Sequence, residues 1–450
     1  MMGTDQSRAG RAERSFAGGS RVLLLQGPVG PFFSRLQETL EGSGHEVRRV
    51  CFHAGDRVFA PRNNRILFNG GADAWREWIN GYLTATQIDC IILFGAERPI
   101  HQIARAVAQR LGIRVIALEE GYLRPGFVTI EDGGNNATSP IAGCLPPPDF
   151  IADDAASAPA TDYRSLRVMG WYSTVHYVLR TFSQTSRRKQ LFHRRFSALP
   201  EIFRWGRNGW RRILHANQNL ATIQKLLEHH DGKYFLVPLQ VSADANLQAA
   251  AAGWCSARLI RETLSSFAKH ANPQARLVFK IHPLERGHVT HAPLINATAA
   301  TLGVAGRVDV VDTGSLGLLA RHSAGMITIN STSGLSAIHH GTPLLVIGRA
   351  IYANPELAIC ANGAPNFDAF WAAHHVAAPS VRRNYLGWLR QVALAPGDFY
   401  AAEGITLACE AVLTRLGPGL DTLTTHEPQT SPEAVSANKL LLPKGAPLVA

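Results

Sequence analysis

The sequence predicts an α/β protein with two Rossmann-type domains facing each other across a cleft. Three observations carry that expectation. Short apolar runs of strand length alternate with helix-length stretches, the pattern of parallel, doubly wound sheets. The pattern occurs twice, on either side of a basic stretch of about 70 residues. And 450 residues are too many for one ordinary core.

In chain order, residues 1–20 read as a disordered tail. Residues 21–165 form the first domain, in which "RVLLLQG" (21–27), "EVRRVCF" (46–52), "DCIILFG" (89–95) and "RVIAL" (114–118) read as strands. Residues 32–43, 72–86 and 99–111 read as helices between them, with Gly44 and Gly112 placed as C-terminal stops. Residues 166–230 are a basic helical segment. The second domain, 231–375, takes strands at 233–240, 275–283, 307–312, 325–330 and 343–348, with helices at 256–270, 315–322 and 333–340. Gly341 and Pro343 end the last of these. Residues 376–416 read as helices packing back on the cleft, and the Pro/Ser/Thr-rich stretch 417–450 as a second disordered tail.

Composition narrows the function classes. No run approaches the roughly 18 apolar residues of a membrane span, and the N-terminus lacks the apolar core of a signal peptide. The six cysteines are scattered, with no Cys-x-x-Cys, which speaks against a zinc site or a disulfide framework and for a reducing cytoplasm. The net charge of +11 is concentrated: from Arg180 to Arg212 there are ten Arg or Lys and one acid, Glu201, an excess of +9. An anionic neighbour is expected for that segment alone.

Ligands of open α/β sheets bind beyond the carboxyl ends of the strands, so the candidate residues are those that follow each run. After the first comes "QGPVGPFF", where Gln26, Gly27 and Gly30 either give a substrate room and free N–H groups or make a rigid turn. It has neither Gly-x-Gly-x-x-Gly nor Walker spacing. After the fourth come Glu119 and Glu120, either solvated at a turn or a general acid/base pair whose pKa values are raised by each other and by burial. After "KYFLVPLQ" come Gln240 and Asp244; the latter is equally a helix N-cap. Lys280, His282 and Pro283 follow "ARLVF", either as a partly exposed histidine in a turn, the commoner case for a lone His-Pro, or as a positioned N–H beside a positive charge that suits a phosphate. Asn330, Ser331, Thr332 and Ser333 open a helix, as an anion cradle or as ordinary capping. No Asp-x-Asp occurs, which disfavours a metal-diphosphate mechanism, and no metal site is expected.

Five blocks, "LLLQGPVGPFFSRLQETLEGSGHEVRRVCFHAGD", "LEEGYLRPGFVTIEDGGNN", "VPLQVSADANL", "VFKIHPLERG" and "TINSTSGLSAIHHGTPLLVIGRAIY", resemble, in order from about residue 21 to 375, the capsular polysaccharide biosynthesis/export family, in particular its KpsS-type (LipB/KpsC-related) members. The resemblance implies a GT-B-like fold and a β-Kdo transferase that takes Kdo from CMP-β-Kdo, with no cofactor. The implied acceptor is a lysophosphatidylglycerol-type lipid, and the product the start of the oligo-Kdo linker of a capsule. By motif, Glu120 is the catalytic acid/base with Glu119 beside it. His282 and Ser331 to Ser333 hold the CMP phosphate and nucleotide. Asp244, in a Gln-x-x-x-Asp block, is the nucleophile of a retaining mechanism. One departure is Ala243, where the family often has a polar or acidic residue.

With that acceptor the basic segment gains a purpose. "RRKQLFHRRFSALPEIFRWGRNGWRR" interleaves Arg187, Arg188, Lys189, Arg194, Arg195, Arg211 and Arg212 with aromatics that include Trp205 and Trp210, as helices on anionic lipid do. The expected location is cytoplasmic and peripheral on the inner membrane. A second Kdo transferase and the capsule export machinery are the implied protein partners. The main alternative is a non-catalytic export or assembly protein that binds lipid-linked polysaccharide. A nucleic-acid binder would rest on the arginines alone and lacks a recognised module.

Overall fold

The computed structural model describes residues 19–153, 161–183, 191, 198–283, 285, 291–372 and 375–417. Both expected tails, apart from residues 19, 20 and 417, lie outside them, as do Arg187, Arg188, Lys189, Arg194 and Arg195.

Two sheets form, each mainly or wholly parallel. The first contains β1 (Arg21–Leu24), β2 (Glu46–Cys51), β3 (Arg65–Leu67), β4 (Cys90–Phe94), β5 (Arg114–Glu120), β6 (Phe127–Asp132) and, from the far end of the chain, β13 (Leu394–Pro396). Their order is β13-β6-β5-β4-β1-β2-β3, with β6 and β13 running antiparallel to their neighbours. The second contains β7 (Tyr234–Pro238), β8 (Arg276–Lys280), β9 (Val308–Val311), β10 (Gly325–Thr328), β11 (Leu344–Val346) and β12 (Ile359–Cys360), in the order β12-β11-β10-β7-β8-β9 and parallel throughout. This is the expected pair of Rossmann-type sheets. Strand order reverses between β1 and β4 in one and between β7 and β10 in the other, and such reversals open a crevice at the strand ends.

Helices close both faces because their apolar residues recur at helical spacing. In Pro99–Leu111 the buried Ile100, Ala104, Val107 and Ala108 form one stripe; Pro99 starts the helix, and Gly112 stops it at φ +65°. The helices at 72–86, 99–111 and 256–270 have the expected bounds. Each sheet is thus buried on both faces, which is why central strands such as "CIILF" are apolar at every position.

The C-terminal segment differs from the all-helical expectation. Helix Pro379–Ala393 packs on the second domain, where Tyr385, Trp388 and Leu389 join its core. The chain then adds β13 to the first sheet, and helix Ala402–Leu416 covers helix Phe32–Gly42 there. Other segments also pass between the domains. Gly143 is bonded through its N–H to Ile351 and through its carbonyl to Asn354. Helix Leu166–Ser183 returns to the first domain, beside Ala54–Arg57. The helices Ala198–Leu214 and Ala216–His229 lead back to the second, tied by Asn208 to the Pro283 carbonyl and by Asn219 to Asp312.

Candidate active site

A cavity of about 230 Å³ lies between the two strand-order reversals. The first domain lines it with Phe94 at the end of β4 and Gly95, Glu97 and Arg98 after it, and with Glu119, Glu120, Arg124 and Asn136 around β5 and β6; the second contributes Gln240, Asp244, Asn246 and Asn330 to Thr332. Of the expected site residues, this brings together Glu119, Glu120, Gln240, Asp244, Asn330, Ser331 and Thr332.

The adjacent glutamates are separated by strand geometry. Successive side chains of β5 point to opposite faces, so Glu119 lies on the side of helix Pro99–Leu111 and Glu120 on the side of Tyr400. Each carboxylate meets its own arginine. Burial raises the Glu119 pKa to about 7 against the opposing pull of Arg98, and Asp244 across the cleft adds to the rise. Burial also raises Glu120, opposed by Arg124 and by the Tyr400 hydroxyl, which donates to Oε1 at 3.2 Å. Glu97 is the third carboxylate of this wall, but Arg105 pairs with it at 3.1 Å and Thr138 and Gln102 donate to it.

On the facing wall, Gln240 and Asn330 lock the ends of β7 and β10 together. The Gln240 amide donates to Asn330 Oδ1 at 2.9 Å, and the Asn330 N–H donates back to Gln240 Oε1 at 3.2 Å. Asp244 caps the short helix Ala245–Ala250, accepting the Asn246 N–H at 2.9 Å. Burial nevertheless raises its pKa. Glu285 fixes this loop from behind, accepting the N–H and hydroxyl of Ser242, both at 3.0 Å, and facing His291.

Some expected residues stand elsewhere. Lys280 does not reach the cavity: at the end of β8 its ammonium is buried and donates to the Thr313 carbonyl at 3.1 Å. His282 is exposed beside the cleft and does not line the cavity; crowding by protein and then the Lys280 charge bring its imidazole down to about 4. Pro283 accepts from Asn208 at 3.0 Å. Ser333 turns under the loop, donating its N–H to Ser331 Oγ. The room expected at Gly27 and Gly30 is already filled. A Cβ at Gly27 would lie 2.7 Å from the Phe33 ring, and one at Gly30, whose φ is +105°, 2.6 Å from the Tyr172 ring. With Gln26 they border a separate void of about 10 Å³, room for one water. Gln26 still touches the site indirectly, as an acceptor for Arg98.

Reasoning from sequence passed over Arg98, Arg124, Glu285 and Tyr400. Arg124 lies within the quoted "LEEGYLRP" block, and Arg98 precedes the proline that starts a helix after β4, so both had a visible signal. Tyr400 is 280 residues from its partner and had none.

One cluster among the described residues has ligand types suited to a metal: His53, Asp56 and His176, all buried. Its hydrogen bonds favour another role. His53 Nδ1 accepts the Asp56 N–H at 3.2 Å, which puts the ring proton on Nε2, 3.6 Å from Asp56 Oδ2, and leaves no lone pair there for a metal. Asp56 also takes hydrogen bonds from Phe52 and Gln26. The cluster clamps helix Leu166–Ser183 onto the first domain.

Residues 89–400 match the family described as Capsule polysaccharide biosynthesis protein. The chain is 33% identical over 351 residues to the Capsule polysaccharide export protein KpsS of Escherichia coli, spanning 76% of this chain and 88% of that protein. It is 32% identical over 346 residues to the Capsule polysaccharide modification protein LipB of Neisseria meningitidis serogroup A, spanning 75% and 82%. Among solved structures it is similar to Thermosulfurimonas dismutans KpsC, beta Kdo 2,7 transferase, with 13% identity, a TM-score of 0.41, and coverage of 88% of this chain and 99% of that one.

Proposed function

The chain belongs to the family of capsule polysaccharide biosynthesis proteins, and from that premise we propose that it is a glycosyltransferase moving Kdo from CMP-β-Kdo to a lysophosphatidylglycerol-type lipid. The product would begin the oligo-Kdo linker of a capsular polysaccharide. One observation carries the reading: carboxylates from two domains, Glu119 and Glu120 on one side and Asp244 on the other, line a single cavity at two strand-order reversals.

Transfer with retention needs two carboxyl groups, one to attack and one to move a proton. Asp244 attacks the anomeric carbon as its bond to the CMP phosphate oxygen breaks, leaving a glycosyl ester on the enzyme. The acceptor hydroxyl then attacks that carbon, gives its proton to a glutamate and frees Asp244. Of the two glutamates, the surroundings favour Glu119 for the proton, because it is poised near pH 7 and senses Asp244. Glu120, held by Tyr400, is then a positioning carboxylate, the reverse of the motif's assignment.

The test is incubation of purified protein with CMP-Kdo and synthetic lysophosphatidylglycerol, with products read by mass spectrometry. One added Kdo per lipid with matching CMP release is the expected result. Acceptor binding without CMP release would instead favour a non-catalytic export or assembly role.

A lipid acceptor calls for a membrane-facing surface. No described helix is long and apolar enough to cross a membrane. Helix Ala198–Leu214 instead exposes Phe203, Trp210 and Leu214, at spacings of seven and eleven that share one face, with Arg207 and Arg211 alongside. Helix Leu166–Ser183 repeats the spacing with Trp171, Val178 and Phe182. Such stripes suit an anionic bilayer surface. Flotation with vesicles containing anionic phosphatidylglycerol should show binding that Phe203→Ser with Trp210→Ser weakens by about tenfold or more. Binding indifferent to lipid charge and to both substitutions would remove the membrane role.

A further inference from the structure

We infer that Arg98 and Arg124 form a divided anion site that selects an acidic sugar donor: Arg124 at the mouth takes the phosphate, and Arg98 in the floor takes the sugar's carboxylate. The inference rests on the transferase reading above and names residues that set its donor class.

These two are the cationic side chains among the described residues that line the cavity. Each is fixed along one edge. Arg98 Nη1 donates to Gln26 Oε1 and to the Gly27 carbonyl, both at 3.2 Å, and its guanidinium lies 5.0 Å over the Phe94 ring. Arg124 donates from Nε to the Gly121 carbonyl at 3.1 Å. The remaining N–H groups of both have no hydrogen-bond partner among the described residues. Neither arginine closes an ion pair with the glutamate it faces, although Arg98 acts on Glu119 and Arg124 on Glu120 through space. Two oriented cations, Arg98 largely desolvated and Arg124 open to solvent, held short of the carboxylates leave a gap that an anion would fill, and a planar guanidinium fork suits a carboxylate or a phosphate.

Position divides the roles. Arg124 is exposed, and its charge reaches Glu120, Asp244 and His282. Its guanidinium puts a positive charge at the solvent side of the cavity, fitting a phosphate that must leave that way. Arg98 is held deeper, beside Glu119, where a carboxylate next to the reacting carbon would lie. Phe94 beneath it fixes the plane of the fork. A neutral hexose would leave this fork unpaired, which penalises the wrong donor.

The test uses the full chain and the variants Arg98→Gln, Arg98→Lys and Arg124→Gln, each checked for native near-UV dichroism. Arg124→Gln should weaken CMP binding in calorimetry by tenfold or more. Arg98→Gln should leave CMP affinity within about twofold while lowering kcat/KM for CMP-Kdo by about a hundredfold. Arg98→Lys should recover less than a tenth of that loss, since an ammonium lacks the fork. Unchanged CMP binding in Arg124→Gln, or CMP-Kdo turnover within threefold of wild type in Arg98→Gln, overturns the assignment while leaving the transferase reading intact. If the wild type binds CMP but never turns over CMP-Kdo, the transferase reading fails. Arg98 is then decided by calorimetry of free Kdo on the CMP-saturated protein: binding lost in Arg98→Gln supports the carboxylate role, and no binding, or equal binding, ends it.

Discussion

Glu119→Gln should lower transfer by about three orders of magnitude and, at pH 8, make the protein harder to unfold. Both effects come from one carboxyl group. As proton acceptor it cannot be replaced by an amide, and loss of such a group costs roughly 10²–10⁴ in rate. As a buried acid its folded-state pKa, about 7, lies above the ordinary 4.5. Below pH 4.5 both folded and unfolded chains carry the proton, so the site costs nothing. Between 4.5 and 7 the unfolded chain ionises first, and stability falls as pH rises through that window. Above 7 the full cost is present, up to about 3 kcal/mol for a shift of this size and of order 2 kcal/mol where the cavity admits water. The melting temperature of Glu119→Gln should therefore exceed that of wild type at pH 8 and match it at pH 4. Wild-type kcat should rise with pH up to about 7 and level off above it, as Glu119 ionises to the base that takes the acceptor's proton, and the variant's residual activity should lack that limb. A pH-independent difference in melting temperature, or activity within tenfold of wild type, would remove Glu119 from the role.

Asp244→Asn should abolish turnover without loss of stability, whereas Asp244→Ala should abolish turnover and lose the cap. The side chain has two separable duties. It caps Ala245–Ala250 by accepting the Asn246 N–H, and asparagine caps as well as aspartate does. Alanine cannot, at a cost of about 1 kcal/mol. Nucleophilic attack needs the carboxylate itself, so the asparagine variant isolates the chemistry: at least a thousandfold loss is expected, with an unfolding midpoint no lower than that of wild type. Turnover within tenfold of wild type in Asp244→Asn would reduce the residue to its capping duty.

What was legible in the sequence follows physical lines. Helices with a sustained apolar stripe and a proline or glycine terminator could be bounded closely, as at 99–111. The central strands announced themselves as apolar runs because both faces are covered. β13 could not: three residues carry no period, and it forms only because the chain returns to an open sheet edge. That the acid pair and Asp244 reach the cavity was readable because the pair ends one strand and Asp244 lies in the loop after another. Lys280 misled for a related reason, since a residue at a strand's last position can turn sideways to a neighbouring loop, as its bond to Thr313 shows. Gly27 and Gly30 misled because a glycine can make room for the protein's own rings. The two arginines stood at visible places in the sequence, but that they meet in one cavity follows from the strand order, which no local pattern contains.

The chain passes between its two domains four times: before Gly143, before helix Leu166–Ser183, before Asn208, and at β13. Mechanically, this is a joint with little compliance. One connector would allow swing and twist about many axes; four, anchored at separate places, leave few rigid-body freedoms. Access to the cavity then falls to the side chains at its mouth, Arg124 among them, rather than to a wide parting of the domains.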